Sequence, residues 1–343
     1  MKLTIAILTL AATTVVGQPD GFDFFFWGDW GNNVPANESE TGIAYEENLV
    51  AKQMNMYAEM IKPEFFIPLG DNFYWTGVDS TTDPLWEQYY RSLFTSPATF
   101  VPWYPVLGNH DYYGGHPQAQ IDYTKEHRDT RWTFPDYQYT KIWEIPGSTK
   151  TLEIVFINTV SLCPEALAKP SQIPWPNATL YPEAIEFIYQ PTLQWIENTL
   201  AASTADVLLV AGHYHVYTNT AGDVVTPEGT CLQERLAPLL SQYRVAAYMN
   251  GHEHNFEHHF IDGVNYLTVG HGCDKDDPVL PGTPPGLLFN ETIAGFAVMH
   301  VSDTMLNFTY VDYEGNHIYA SSLPNPRDFG GIGNGGRRNL RGA

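Results

Sequence analysis

The chain has 343 residues, 43% of them hydrophobic, and carries a formal net charge of −22 at pH 7. This length is enough to bury a large core, and nothing in the composition marks a second folded domain. The acidic balance argues against a nucleic-acid or anionic-membrane surface. An anionic substrate would therefore need local positive charge, which bound metal ions could provide.

The first residues have the composition of a secretory signal peptide. Lys2 precedes an apolar run that ends at Gly17-Gln18-Pro19, and this run is too short to cross a bilayer comfortably. A buried N-terminal strand is the alternative interpretation. We expect a signal peptide over 1–17 and secretion, either out of the cell or into an acidic vacuole or lysosome. Four N-glycosylation sequons agree with this route: Asn37, Asn177, Asn290 and Asn307.

The first part of the folded chain predicts a strand, a helix and a second strand. Residues 22–27 are apolar and aromatic except for Asp23, as in a buried strand, and lead into a turn that contains Asp29. Apolar residues then recur at helical spacing over 50–61, and Lys62-Pro63 ends the helix. The apolar run 65–69 predicts the next strand.

Beyond residue 70 the same criteria predict short elements separated by polar or proline-rich segments. In chain order these are a helix at 86–93, a strand at 103–107, a rim loop at 112–139, a strand at 151–157, an exposed loop at 163–191, a helix at 193–200, strands at 207–210 and 245–248, and short strands between 266 and 319. The tail over 327–343 is rich in Gly and Arg, cannot pack a core, and is expected to be disordered.

Five glycine-containing turns after apolar runs carry Asp, Tyr, Asn or His side chains. Because ligands in open α/β sheets gather at the carboxyl ends of strands, these distant segments are expected to meet at one site. The side chains suit two hard to borderline cations, with Asp71 shared between them and the phenolate of Tyr74 suited to ferric iron. The candidate ligands are Asp29, Asp71, Tyr74, Asn109, His213, His252 and His254.

Written out, the turns are Gly28-Asp29-Trp30-Gly31, Gly70-Asp71-Asn72-Phe73-Tyr74, Gly108-Asn109-His110-Asp111, Gly212-His213-Tyr214 and Gly251-His252-Glu253-His254. They resemble the five metal motifs of the metallophosphoesterases, and within that superfamily the small, mammalian-type purple acid phosphatases, also called tartrate-resistant acid phosphatases. The resemblance implies an α/β fold in which two mixed β-sheets, flanked by helices, form a four-layer αββα sandwich. It places one metallophosphoesterase catalytic domain over 18–326.

The resemblance also divides the ligands between two ions. It implies Asp29, Asp71, Tyr74 and His254 around Fe(III), and Asp71, Asn109, His213 and His252 around a divalent ion. That second ion is iron(II), zinc or manganese, and the ligand set suits all three. Many relatives have a histidine where this chain has Gly31, and the gain of Tyr74 with the loss of that imidazole favours ferric iron.

The implied activity is hydrolysis of phosphomonoesters at acid pH by a metal-bound hydroxide. His110 is then the catalytic residue that binds the phosphoryl group together with Asn109 and, when protonated, either stabilises the charge on the leaving group or supplies a proton to it. Asp111 either orients His110 or caps a turn. His215 stands where the mammalian type has proline, and it either contacts the substrate or supports a neighbouring ligand.

The cysteines alone allow three pairings. The resemblance implies a disulfide between Cys163 and Cys231 and a free Cys273, and it places the 164–190 loop where relatives have a protease-sensitive segment. We expect a monomer that acts on small phosphomonoesters or phosphoproteins, with no nucleic-acid partner and no membrane insertion. The alternatives are a phosphodiesterase or nucleotide pyrophosphatase on the same scaffold, and a non-catalytic secreted glycoprotein.

Overall fold

A computed structural model of the chain describes residues 20–31, 43–167, 189–221, 225–272 and 278–327. Several predictions lie outside these ranges: the signal peptide, the sequons at Asn37 and Asn177, Cys273, most of the 163–191 loop, and the tail beyond Arg327.

In chain order the described strands are β1 (Gly21–Trp27), β2 (Phe65–Pro68), β3 (Tyr139–Glu144), β4 (Thr151–Phe156), β5 (Val207–Ala211), β6 (Ala247–Asn250), β7 (Phe256–Ile261), β8 (Val264–Val269), β9 (Leu287–Glu291), β10 (Gly295–Ser302), β11 (Leu306–Asp312) and β12 (His317–Ser322). The described α-helices are α1 (Ile43–Ile61), α2 (His110–Tyr113), α3 (Gln118–Lys125), α4 (Thr159–Leu162), α5 (Tyr189–Ala202), α6 (Pro227–Arg235) and α7 (Ala237–Gln242). A π-helix spans Trp86–Arg91, and short 3₁₀ turns span Pro97–Thr99 and Pro164–Ala166.

The strands form two mixed sheets. One has five strands in the order β12-β11-β10-β1-β2, and the other has seven in the order β3-β4-β5-β6-β8-β7-β9. β1 pairs in parallel with β2 and antiparallel with β10. In the larger sheet β4, β5, β6 and β8 are parallel neighbours, whereas β3, β7 and β9 pair antiparallel. The parallel strands bring their carboxyl ends to one edge of each sheet.

Aromatic side chains pack the two sheets against each other. The ring of Phe256 on β7 lies 4.8 Å from that of Tyr310 on β11, and Phe65 on β2 stacks at 4.2 Å on Trp143 of β3. Helix α1 covers the smaller sheet with an apolar face that includes the fully buried Met54, as its helical periodicity predicts. The predicted sandwich of two mixed sheets with flanking helices is therefore confirmed.

Two of the predicted elements are wrong. The 103–107 segment is extended but makes only isolated parallel bridges, at Trp103 and Val106, because Pro68 of β2 lacks the N–H that would donate to the carbonyl of Tyr104 in a continuous ladder. The predicted rim loop at 112–139 contains α3, whose apolar face buries Ile121 and Tyr123. The helix is too short for its period to stand out from the surrounding aromatic residues.

The predicted disulfide between Cys163 and Cys231 is present, and it ties the end of α4 to α6 with a Cα–Cα distance of 6.0 Å. Among the described helices, none combines the length and the apolar character needed to cross a membrane.

Candidate metal centre

The ligand-bearing turns meet at the edge where the parallel strands end. Asp29 follows β1, Asp71 and Tyr74 follow β2, and His213 follows β5. His252 and His254 follow β6, and Asn109 directly precedes α2. Backbone hydrogen bonds join these turns to one another, from the N–H of Asp29 to the carbonyl of Gly70 at 3.0 Å and from the N–H of Gly251 to the carbonyl of His213 at 3.1 Å. The structure thus brings all seven predicted ligands together.

Three of the candidate ligand residues have a left-handed backbone that non-glycine residues rarely adopt. The φ angles are 57° at Asp29, 48° at Asp71 and 76° at His252. Such conformations cost roughly 1–3 kcal/mol each and are found mostly at functional sites. Here the surrounding turns offset part of that cost, because the N–H of His252 donates to Oδ2 of Asp29 at 2.8 Å.

Glycines allow the turns to approach each other closely. A Cβ atom at Gly108 would overlap the carboxylate of Asp71, and one at Gly251 would overlap the carboxylate of Asp29. Gly108 and Gly251 are therefore required to leave space for the two carboxylates.

One cluster of ligand atoms surrounds the hydroxyl of Tyr74. This oxygen lies 3.1 Å from Oδ1 of Asp29, 3.2 Å from Oδ2 of Asp71 and 3.2 Å from Nε2 of His254. Nε2 of His254 is also 3.5 Å from Oδ1 of Asp29. Two carboxylates, a phenol and an imidazole therefore point their donor atoms at one small volume.

A second cluster shares Asp71 with the first. Nε2 of His213 lies 3.1 Å from Oδ1 of Asn109 and 3.5 Å from Oδ2 of Asp71. Donor atoms of Asp71, His213 and His252 all lie within 4.8 Å of one another. Asp71 is thus placed to bridge two neighbouring positions, as its motif predicts.

Both clusters fit metal ions in spacing and in donor chemistry. An ion about 2.1 Å from its ligands keeps neighbouring octahedral ligand atoms about 3 Å apart, close to the separations measured here. The first cluster has hard anionic oxygens that suit a trivalent ion, and the second has the amide and imidazoles that suit a divalent one. Asp29 and Asp71 are only 0% and 1% exposed, so without cations two carboxylates would lie buried side by side.

Charge coupling within the site is strong. Burial alone would raise the pKa of Asp71, but the imidazoles of His213 and His110 outweigh burial and hold this pKa well below its ordinary value. Burial would lower the pKa of His213, yet the carboxylates of Asp71 and Asp29 raise it to about 9. A cation must displace the His213 proton to bind, so cation uptake should weaken as the pH falls.

Hydrogen bonds on the far side of His213 and Asn109 select which atom each of these two residues presents to the site. Nδ1 of His213 lies 2.8 Å from the carbonyl of Leu69, which can only accept, so Nδ1 carries the proton and Nε2 faces the site. The side-chain amide nitrogen of Asn109 donates to the hydroxyl of Tyr113 at 3.1 Å, which leaves Oδ1 toward His213.

A group of four residues that includes His252 was not fully anticipated from the sequence. Nε2 of His252 lies 3.5 Å from Oε1 of Glu228, and the ring of His215 stacks on it at 5.7 Å. Nδ1 of His215 is 2.9 Å from Oε1 of Glu253. Burial would raise the pKa of Glu228, but His252 outweighs it and lowers this pKa to about 2. The spacing from Glu228 to His252 carries no local pattern that could have revealed this pair.

His215 itself is buried behind His252. It is 1% exposed, and its second ring nitrogen lies 3.1 Å from the hydroxyl of Thr226. This position favours the second of the two expectations for His215, that it supports a neighbouring ligand.

His110 lies beside the two clusters with its ring partly open to solvent. Its Nδ1 is 2.8 Å from the carbonyl of Trp75, so Nδ1 carries a proton and Nε2 faces the site, 3.9 Å from Oδ2 of Asp71. The ring packs against Tyr74 at 4.4 Å, and 13% of the side chain is exposed. His110 is therefore oriented by a backbone carbonyl and presents one nitrogen to incoming ligands.

Asp111 organises the turns of the site. Its carboxylate accepts the N–H groups of Asn72 at 3.1 Å and of Gly108 at 2.9 Å, and the side-chain amide of Gln120 at 2.7 Å. Burial and the nearby charge of Asp71 raise the pKa of Asp111 to about 7. These bonds favour the turn-capping role over the orientation of His110.

The calcineurin-like phosphoesterase family matches residues 24–256 of the chain. Tartrate-resistant acid phosphatase type 5 of Homo sapiens is 31% identical over 339 residues, which cover 94% of this chain and 98% of the human protein.

Two solved structures share the fold. One is described as GAP50, the anchor in the inner membrane complex of Plasmodium; it aligns with a TM-score of 0.72 at 22% identity and covers 89% of each chain. Purple acid phosphatase PPD1 from yellow lupin (Lupinus luteus) aligns with a TM-score of 0.61 at 17% identity over 89% of this chain and 54% of the lupin chain. The chain therefore belongs to the calcineurin-like phosphoesterase family and, within it, to the purple acid phosphatases.

Proposed function

We propose that this protein is an acid phosphatase that hydrolyses phosphomonoesters at a binuclear centre of Fe(III) and a divalent ion. The observation that carries the proposal is the convergence of Tyr74 with Asp29, Asp71 and His254 at 3.1 to 3.2 Å, next to a second cluster that shares Asp71. A phenolate together with two carboxylates is a donor set that favours trivalent iron. Relatives of this protein are named acid phosphatases, which supports hydrolysis of phosphate esters as the reaction.

In this proposal Asp29, Asp71, Tyr74 and His254 hold the ferric ion, and Asp71, Asn109, His213 and His252 hold iron(II), zinc or manganese. When bound, the two cations would supply Lewis acidity toward the phosphoryl oxygens and lower the pKa of a coordinated water. The positive charge that the acidic chain lacks would thereby be concentrated at its substrate site.

The protein's own groups would then orient the ester and move a proton. Asn109 and His110 are adjacent at the mouth of the site, where they would bind the phosphoryl group. Nε2 of His110 is directed inward by the bond from Nδ1 to the carbonyl of Trp75. In its protonated form this nitrogen would donate to the leaving-group oxygen as the phosphorus–oxygen bond breaks, which neutralises the departing alkoxide.

We further propose that the protein enters the secretory pathway and acts outside the cell or in an acidic compartment. The signal-like residues 1–17 and the disulfide between Cys163 and Cys231 support this location. Two sequons lie in the described residues. Asn307 is partly exposed, whereas Nδ2 of Asn290, the atom to which a glycan would be attached, is buried within β9.

The colour of the purified protein tests the proposed centre. We expect two metals per chain, a visible tyrosinate-to-iron absorption band, and hydrolysis of a phosphomonoester at acid pH. Tyr74→Phe should abolish the band, while Tyr123→Phe, which removes a phenol from the buried aromatic core, should retain it.

The possible outcomes separate the alternatives. A colourless, active enzyme would refute the ferric assignment. Faster turnover of a diester than of a monoester would favour the phosphodiesterase. A protein with full metal content that hydrolyses no phosphoester between acid and neutral pH would be the non-catalytic glycoprotein.

A further inference from the structure

The second cation position depends on which way the side-chain amide of Asn109 points. An amide presents oxygen at one end, which can bind a cation, and an NH₂ group at the other, which cannot. The two ends have almost the same size, so only the hydrogen bonds of the amide fix its orientation. Asn109 is 7% exposed, and its Oδ1 lies 3.1 Å from Nε2 of His213, on the side of the metal centre.

Tyr113 supplies the bond that fixes this orientation. Its hydroxyl accepts from Nδ2 of Asn109 at 3.1 Å. Tyr113 ends α2 and stands four residues after Asn109, which is the spacing that places side chains on the same side of a helical turn. The tyrosine is 6% exposed, so the bond is sheltered from competing water.

The same ring also contacts His110. The ring centroids of Tyr113 and His110 are 5.0 Å apart with an interplanar angle of 75°, an edge-to-face arrangement. Tyr113 therefore touches both residues assigned to the phosphoryl group. The hydroxyl contacts Asn109 and the ring contacts His110, so the two contributions can be separated by removing the hydroxyl alone.

We propose that Tyr113 is a positioning residue for the divalent ion, acting through the amide of Asn109; this inference rests on the proposed binuclear centre. Hydrogen-bond partners behind a metal ligand typically change metal affinity by about 10- to 100-fold when removed. Tyr113 lies outside the five motifs that carry the family resemblance.

The adjacent tyrosine provides a matched control. Tyr112 is 8% exposed on the same helix, but its hydroxyl accepts from Nδ2 of Asn158 at 2.6 Å, at the start of α4. Tyr112→Phe and Tyr113→Phe thus remove the same atom from the same short helix. Only Tyr113→Phe frees the amide of Asn109.

The test titrates the full-length enzyme, holding iron, with Zn(II) while metal content, visible absorption and turnover of a phosphomonoester are followed. For Tyr113→Phe we expect the Zn(II) dissociation constant to rise about 10-fold or more, with an unchanged visible band. Turnover should recover as Zn(II) reaches saturation. Tyr112→Phe should bind Zn(II) as the wild type does. Tyr113→Leu, which also lacks the hydroxyl, carries the same expectation if the phenylalanine variant does not fold.

An unchanged Zn(II) dissociation constant in Tyr113→Phe would overturn the inference and leave the proposed function intact. A loss of turnover that saturating Zn(II) does not restore would also overturn it, because the hydroxyl would then act on the substrate or on His110. A wild-type protein that takes up a single metal and hydrolyses no phosphomonoester would overturn both the inference and the proposed function.

Discussion

His258 should make the stability of this protein sensitive to acid. The residue is 1% exposed on β7, and its Nε2 lies 3.0 Å from Oδ1 of Asn265. Because the amide oxygen only accepts, Nε2 carries the proton, and Nδ1 accepts from the hydroxyl of Tyr319 at 3.0 Å. The neutral ring is fully satisfied, and burial lowers the pKa of His258 to about 4.

The magnitude follows from the difference between the folded and unfolded pKa values. An unfolded histidine has a pKa of about 6.5, so between pH 6.5 and 4 the unfolded chain binds a proton that the folded chain excludes. The free energy of unfolding therefore falls as the pH is lowered through this window. At about 1.4 kcal/mol per pKa unit, the contribution of His258 approaches roughly 3 kcal/mol by pH 4.

The assay compares urea unfolding of the wild type and His258→Gln at about pH 7.5 and pH 4. Glutamine offers an N–H and a carbonyl to the same two partners and does not titrate. The loss of stability on acidification should be smaller in the variant by about 3 kcal/mol. His317→Gln, at an exposed position on β12, is the control and should behave as the wild type. Equal acid sensitivity in wild type and His258→Gln would refute the reasoning.

Three further predictions concern the site and the disulfide. His110→Ala should lower turnover by about 10²- to 10⁴-fold while it keeps its full metal content. Asp71→Ala should lose both metals. Equal metal loss in the two variants would show that His110 is a metal ligand. Chelation of both metals should lower the melting temperature of the wild type but leave that of Asp71→Ala unchanged, as differential scanning calorimetry would show. Replacing both Cys163 and Cys231 by alanine removes the disulfide that closes a loop of 68 residues. The free energy of unfolding in urea should fall by about 4 kcal/mol, and an unchanged unfolding midpoint would contradict this.

The convergence of the candidate ligands could be predicted because each of them is tied to a local signal. Asp29 and Asp71 each follow an apolar strand and a glycine, and His213 and His252 repeat the arrangement in the larger sheet. Since parallel strands end at the same edge, knowing the strand ends was enough to place the donors together. No contact between distant residues had to be guessed individually.

The side chains that hydrogen-bond to the site residues from the helices had no local sequence signal. Glu228 reaches His252 from α6, and Gln120 reaches Asp111 from α3, a helix that the sequence did not predict. Whether a carboxylate or amide reaches a ligand depends on the mutual placement of helices and sheets. That placement depends on long-range packing, which neither hydrophobic periodicity nor a turn motif encodes.

Backbone hydrogen bonds from the two sheets hold the strained turns of the candidate ligands. Asp29, Asp71 and His252 adopt left-handed conformations that a flexible loop would relax, and burial of two carboxylates adds a further cost. The sheets hold these turns through backbone bonds, such as those of Gly28 to the carbonyl of Val269 and of Leu69 to that of Trp27, both at 2.7 Å. The folded core thus fixes these buried carboxylates close to the imidazoles of the site. Bound cations would add favourable interactions with the carboxylates, so metal uptake and stability should be coupled in this fold.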